Sequence, residues 1–321
     1  MKDKIIIIAE AGGNHNGSIK NAYKLVDIAK KAGADYVKFQ TFKAETLVSK
    51  NAPKAKYQKR NVKKLSHYEL IKKLEMSYEM HVKLFKYCKK KQIKFLSSPF
   101  CIDSFNLLKK FKLDFIKIPS GEIINLPLLR HIKKFNHNII LSTGMSNVDE
   151  INMAIKILKK KNRKIILLHC NTEYPTHFED INLNAMLSLK KQFNLDVGYS
   201  DHSLGIQVPI VAASLGAKVI EKHFTISKKM VGPDHVASLN PKELISMVKA
   251  IRSTEVILGK RKKFVTKSEK KNILIARKSL FASKNIKKGE KFSLNNLVSL
   301  RPGFGISPMK IDKVCRLRAK K

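Results

Sequence analysis

The stretch KVIEKHF, residues 218–224, decides the fold. It begins as a buried β-strand, with the β-branched pair Val219 and Ile220. Side chains alternate across a strand, so Val219, Glu221 and His223 share one face. An apolar strand that ends in a carboxylate and an imidazole on its inner face belongs where strand ends converge on a site. Seven further apolar runs precede it: IIIIAE (5–10), YVKFQ (36–40), KFLSSPF (94–100), FIKIPSGE (115–122), IILSTGM (139–145), KIILLHCN (164–171) and VGYSDH (197–202). Helix-like stretches such as NAYKLVDIAKKAGA and VDEINMAIKILKKK separate them, and GIQVPIVAASLGA follows the seventh. Strand and helix repeated eight times predict an α/β fold, a (β/α)8 TIM barrel. A doubly wound open sheet is the competing arrangement. It usually opens with a glycine-rich turn, and AEAGGNHNG does not match GxGxxG.

The ends of the runs are chemically active: Glu10, Lys38 and Gln40, Ser98, Lys117 and Glu122, Ser142, Asn171, His202, then Glu221 and His223. In a parallel barrel these ends meet at one mouth, where the site lies. His202 and His223 end neighbouring strands, and two imidazoles with nearby oxygen donors suit a divalent transition metal. The absence of a cysteine partner disfavours a structural zinc site. Lys38 and Lys117, with Ser98, Ser120, Ser142 and Ser200, are the residue types that surround a small dianion. Glu10, Glu122 and Asp234 are candidates for acid–base work or for sugar hydroxyls. Each of these residues alone has an ordinary structural reading, as strand-end cap or ion-pair partner.

The 321 residues carry 65 basic and 25 acidic side chains, a net charge of +40. Such a surplus raises the possibility of a basic nucleic-acid-binding protein on a barrel scaffold. Only 9 of the basic residues are arginine, whereas base and phosphate recognition favours the bidentate arginine fork. The lysines are spread over many helical stretches, so they read as solvated helix faces whose field attracts anionic substrates, and no nucleic acid is expected. Cys88, Cys101, Cys170 and Cys315 form no CxxC pair and read as isolated reduced thiols. No apolar run approaches a membrane span, and the start MKDKIIIIAEAGG meets Glu10 too soon for a signal peptide, so a cytoplasmic protein is expected.

Residues 1–258 are expected to form the barrel. The segment from Lys43 to about Ser66 is long enough to be a lid at the mouth, with a disordered insertion as the alternative. A charged linker is expected over 259–275, and a small β-rich domain over 276–321, too short to be comfortably stable alone.

Taken together, IAEAGGNHNGS, AGADYVKFQTFKAETL, IKIPSGEIINLPLL, ILSTGM, LLHCNTEYPTHFEDINLNAM, VGYSDHSLGI, VIEKHFT, GPDHVASL and RPGFGISPM resemble the bacterial N-acetylneuraminate (sialic acid) synthases, within the nonulosonic acid synthases. The resemblance covers essentially the whole chain. It implies a TIM barrel followed by a small antifreeze-like (SAF) domain, here expected to be shortened at its C-terminus. It implies condensation of phosphoenolpyruvate with N-acetylmannosamine and water to give N-acetylneuraminate and phosphate. A legionaminate synthase acting on a 2,4-diacetamido-2,4,6-trideoxy sugar is the alternative. Pseudaminate synthases usually carry SANHN where this chain has GGNHN. By the same resemblance, His202 and His223 hold Mn²⁺ or, in its place, Mg²⁺ or Co²⁺. Lys38 and Lys117 anchor phosphoenolpyruvate, with Ser120, Ser142 and Ser200 as hydroxyl contacts. Glu122 is implied beside the reacting carbon, and Glu10, Tyr174 and Asp234 on the sugar side. Arg301 is implied to reach the partner's barrel in a homodimer with swapped SAF domains.

Overall fold

All eight expected strands form, and their alternation fills the barrel. They are β1 (Ile6–Glu10), β2 (Tyr36–Thr41), β3 (Lys94–Pro99), β4 (Phe115–Ile118), β5 (Asn138–Ser142), β6 (Ile165–Cys170), β7 (Asp196–Asp201) and β8 (Val219–His223). The computed structural model describes residues 4–62, 64–260 and 262–320. The eight strands pair in parallel in the order β3-β2-β1-β8-β7-β6-β5-β4. β3 and β4, at the two ends of that order, lie side by side and bring the sheet round to a barrel.

Two apolar clusters show which face is which. Ile8, Tyr36, Leu96, Phe115, Ile140, Ile166, Leu168 and Val219 pack together inside the barrel. Ile7, Ala9, Val37, Phe39, Phe95 and Ile116, from the intervening positions, join the larger cluster beneath the helices. Two residues further along each inner face stand Glu10, Lys38, Ser98, Lys117, Ser142, Cys170 and Glu221. The barrel therefore carries a layer of polar groups above an apolar plug. Register aligns that layer, because Glu10 pairs with Lys38 on one side and with His223 on the other. Gly198 occupies an inward position of β7 where a Cβ would lie 2.3 Å from the Val219 carbonyl oxygen, so no larger residue fits that wall.

The helices follow from local signals. Ser18 accepts from the Asn21 amide to start Ile19–Ala32, which Gly33 ends at φ +82, a left-handed cap that glycine takes without penalty. Asn147 and Asn240 begin their helices with capping boxes. Among the described residues no helix is long and apolar enough to cross a membrane.

The 43–66 segment is ordered by short helices, Ala44–Leu47 and Lys56–Asn61, and is followed by His67–Lys73. Its core is an apolar cluster of Phe42, Val62, Leu70 and Leu74. Lys54 Nζ donates to the Val62 carbonyl at 2.7 Å, and Asn61 ties the segment to the Pro233 carbonyl at 2.6 Å.

The chain divides into units Met1–Gly259 and Lys260–Lys321. The expected linker differs in part from a bare connection, since a helix forms over Lys270–Ala276. None of its residues is buried. The second unit also has less strand than expected. β9 (Ser279–Ala282) pairs antiparallel with β10 (Leu297–Leu300), and loops and short helical turns make up the rest. The Ser279 hydroxyl organises one turn, donating to the Pro302 carbonyl and accepting from the Gly305 amide, both at 2.8 Å. Among its described residues Val314 is the one buried apolar side chain.

Candidate active site

At the C-terminal ends of the strands lies a cavity of about 230 Å³. Its floor is a network of four buried charges. Lys38 Nζ lies 2.9 Å from Glu10 Oε2 and 3.5 Å from Glu221 Oε1. Lys117 Nζ lies 3.6 Å from the same Glu221 oxygen. Ser98 and Ser142 accept from Lys38 and Lys117 at 3.2 and 2.7 Å. Ser200 donates to Glu221 Oε1 at 3.2 Å, and Gln40 donates to Glu10 at 3.2 Å. Glu221 thus bridges the two lysines.

Burial acts on each charge and the neighbours decide the outcome. Loss of water pushes the Glu10 carboxyl up to about 7, Lys38 opposing and Glu221 reinforcing the shift. Burial pulls the Lys38 ammonium down, but Glu10 and Glu221 outweigh it and hold it above its ordinary value. Burial also raises Glu221, yet Lys117 and Lys38 leave it below the usual carboxylate range. For Lys117 burial prevails and the ammonium is lowered. When Glu10 carries its proton, the two ammonium groups face only Glu221, and the floor has a surplus positive charge ready for an anion.

Above the floor stand the imidazoles. The rings of His202 and His223 are 5.4 Å apart. Burial lowers His202 to about 4 and His223 well below its ordinary value, so both are neutral at physiological pH. The Asn171 carbonyl takes the Nδ1–H of His202, which leaves Nε2 as the lone-pair nitrogen, and the Tyr174 hydroxyl donates to it at 3.1 Å. His223 Nδ1 is buried with no hydrogen-bond partner. Neutral imidazoles, one oriented by a backbone carbonyl and one with an orphaned nitrogen, fit a divalent metal. Among the described residues no third His, Cys, Asp or Glu completes a cluster, so remaining positions would fall to substrate and water.

The loops presenting these groups are braced to each other. Asn14 donates to the Phe224 carbonyl and to the Ser238 hydroxyl at 2.8 and 2.9 Å. His235 bonds Thr225 at 2.6 Å and Asn16 at 3.2 Å. The asparagines of NHNG thereby hold the 225–239 loop, which delivers Asp234 to the cavity. The Asp234 carboxyl is raised to about 6 by burial.

Of the expected residues, Glu10, Lys38, Gln40, Ser98, Lys117, Ser120, Ser142, Tyr174, Ser200, Asp234, His202 and His223 all line this cavity. Ser120 does so with its hydroxyl engaged, accepting from the Gly144 amide at 3.0 Å and meeting Cys170 Sγ at 3.1 Å. Glu122 differs: Gly121 borders the cavity, whereas Glu122 is not among the lining residues and its carboxylate accepts from Asn125 at 2.5 Å. Arg301 is exposed just after β10 in the second unit. Glu221 was expected among the strand ends at the mouth but given no role, and it bridges the two lysines. Tyr57 and Gln58 also line the cavity; they lie in the segment expected at the mouth as a lid, but nothing in the sequence singled out these two side chains. Tyr57 stacks on Tyr174 at 4.9 Å, and Tyr174 stacks on His202 at 4.1 Å.

An eight-stranded parallel barrel with lysines, carboxylates and neutral imidazoles at its mouth defines a TIM-barrel enzyme. The chain belongs to the NeuB family, which matches residues 25–263, and a SAF domain matches residues 277–321. It is 52% identical over 314 residues to the N,N'-diacetyllegionaminic acid synthase of Campylobacter jejuni, covering 97% of this chain and 94% of that one. It is 44% identical over 314 residues to the synthase of the same name from Legionella pneumophila, covering 96% and 88%. The crystal structure of N-acetylneuraminic acid (sialic acid) synthetase from Leptospira borgpetersenii in complex with citrate has a TM-score of 0.76 at 36% identity. That match covers 84% of this chain and 90% of the other.

Proposed function

We propose that this protein condenses phosphoenolpyruvate with a 2,4-diacetamido-2,4,6-trideoxy sugar and water, giving a legionaminate-type nonulosonic acid and phosphate. The observation that carries the reaction is the lysine pair Lys38 and Lys117, held on either side of Glu221 directly below two neutral histidines. The choice of sugar rests on relatives named as diacetyllegionaminic acid synthases, which support it over the expected N-acetylmannosamine.

Lys38 and Lys117, with Ser98, Ser142 and Ser200, receive the acidic groups of phosphoenolpyruvate as point charges and donors. His202 and His223 would hold a divalent ion, Mn²⁺ with Mg²⁺ or Co²⁺ as substitutes, which when bound would supply Lewis-acid polarisation of the sugar aldehyde. Tyr174 and Asp234 orient the sugar. C3 of phosphoenolpyruvate forms the new bond to the aldehyde carbon, water adds at C2, and phosphate leaves. Glu10, a floor carboxyl with a pKa near neutrality, serves the proton transfers. Glu122 serves C2 only after exchanging Asn125 for substrate. Arg301 completes the sugar site from the partner subunit of a homodimer with exchanged SAF domains. The small core of the second unit supports this need for a partner surface.

Phosphate release from phosphoenolpyruvate, measured with the 2,4-diacetamido sugar beside N-acetylmannosamine, tests the proposal. Turnover is expected with the first in preference to the second, and no release with either sugar overturns it.

A further inference from the structure

The cavity has two chemically different ends. One is the lysine floor. The other is apolar, and it comes from the cluster that folds the 43–74 segment. Phe42 and Leu74 belong to the core of that cluster, and Ile71 and Phe100 pack against it. All four also line the cavity. Phe42 and Phe100 meet edge to face, with centroids 5.8 Å apart. Ile71 and Phe100 are only half-buried, so part of each remains uncovered by the cluster itself. The Tyr57–Tyr174–His202 stack gives a ring surface leading from the imidazoles to this segment.

We infer that the wall of Phe42, Ile71, Leu74 and Phe100 is the specificity element of the sugar subsite and selects a deoxygenated, doubly N-acetylated sugar by its methyl groups. The inference rests on the reading of the reaction given above. Phosphoenolpyruvate is charged at both its acidic groups, and neither can be left unpaired against phenyl and aliphatic side chains. Its place is the lysine floor, so the apolar end falls to the sugar. The two candidate sugars differ in what they offer that end. N-acetylmannosamine carries hydroxyls at C4 and C6. The 2,4-diacetamido-2,4,6-trideoxy sugar carries an acetamido methyl at C4 and a bare methyl at C6. Methyl groups on this wall gain by leaving water, whereas hydroxyls placed there lose hydrogen bonds that the wall cannot replace.

The test compares kcat/KM for the two sugars in the unaltered enzyme and in two variants on different elements, Ile71→Thr in the helix His67–Lys73 and Phe100→Asn after β3. Because each result is a ratio within one protein, a general loss of activity cancels. Melting temperature and the KM for phosphoenolpyruvate report separately on folding and on the lysine floor. The unaltered enzyme is expected to prefer the diacetamido sugar. Each variant is expected to narrow that preference by about tenfold, the scale of one or two methylene contacts in a pocket, with the KM for phosphoenolpyruvate unchanged. A preference that persists undiminished in both variants overturns the inference and leaves the reaction standing. An unaltered enzyme that favours N-acetylmannosamine overturns the choice of sugar and the inference with it.

Discussion

The Nζ of Lys222 meets the carboxylate of Asp201 with neither side chain exposed to solvent. Each residue is the immediate sequence neighbour of a cavity histidine, Lys222 of His223 and Asp201 of His202. Alternation turns this pair to the outer side of β7 and β8 while Glu221 and His223 face in. Lys222 also donates to the Ser203 carbonyl, and Asp201 accepts from the Ser203 amide at 2.9 Å. The ion pair therefore braces the two strand ends that carry the imidazoles. Lys222→Met, which leaves Asp201 buried and unpaired, is expected to cost about 3–5 kcal/mol. The double variant Lys222→Met/Asp201→Asn should recover part of that loss. Denaturant unfolding of the three proteins measures both effects, and equal stability of the two variants would show that the unpaired charge is not the cause.

The two candidate acid–base carboxylates make opposite predictions. Glu10 lines the cavity, and Glu122 is turned to Asn125. Glu10→Gln is expected to lower kcat by at least about 10², the ordinary contribution of a positioned proton-transfer group. Glu122→Gln should do less. Steady-state kinetics decides, and the reverse order would mean that substrate draws Glu122 into the cavity.

Asp234 links the sugar side of the site to pH. Its carboxyl is raised from 3.8 to about 6 by burial, so the folded protein holds this proton more tightly than the unfolded chain does. Stability from this group is complete below about pH 4 and is lost as pH rises through 6. Asp234→Asn is expected to stabilise the protein at pH 8 by on the order of 1–3 kcal/mol while weakening sugar binding. Melting curves at pH 5 and pH 8 read the effect, which should be smaller at the lower pH.

Removal of metal should abolish turnover, and Mn²⁺ should restore it. His202→Ala and His223→Ala are each expected to weaken Mn²⁺ binding by at least about tenfold, the lower end of the effect of losing even an outer-shell partner. Direct titration of Mn²⁺ checks the ligand role apart from catalysis. Undiminished binding in both variants would place the ion elsewhere.

The role given to Arg301 predicts complementation. Inactive Lys117→Gln subunits mixed with inactive Arg301→Ala subunits should regain activity after exchange, because one site of the mixed dimer then carries neither defect. Mass measurement confirms the exchange, and silence in confirmed mixed dimers would remove the shared-site role.

Much of the barrel and its mouth was legible in the chain. Alternation within a strand is local, so reading Val219, Glu221 and His223 as one face needed no knowledge of any other strand. The same logic placed Lys38, Ser98, Lys117 and Ser142 in one polar layer. It did not say that a single oxygen of Glu221 would lie between Lys38 and Lys117, since that depends on how three distant strands close round the plug. Nor did it show that Glu122 would be drawn to Asn125. The 43–66 segment was the least legible. Its apolar residues are too scattered to show periodicity, and they become a core only when Val62, Leu70 and Leu74 meet Phe42 at the end of β2.

The sequence by itself determined which residues form strands and which side chains those strands turn inward, because both follow from the two-residue period of an extended chain. Only the tertiary structure decided which charges touch, which carboxylate enters the cavity, and that a folded loop gives the site an apolar wall. Those outcomes depend on contacts between residues far apart in the chain, and such contacts exist only once the barrel has closed.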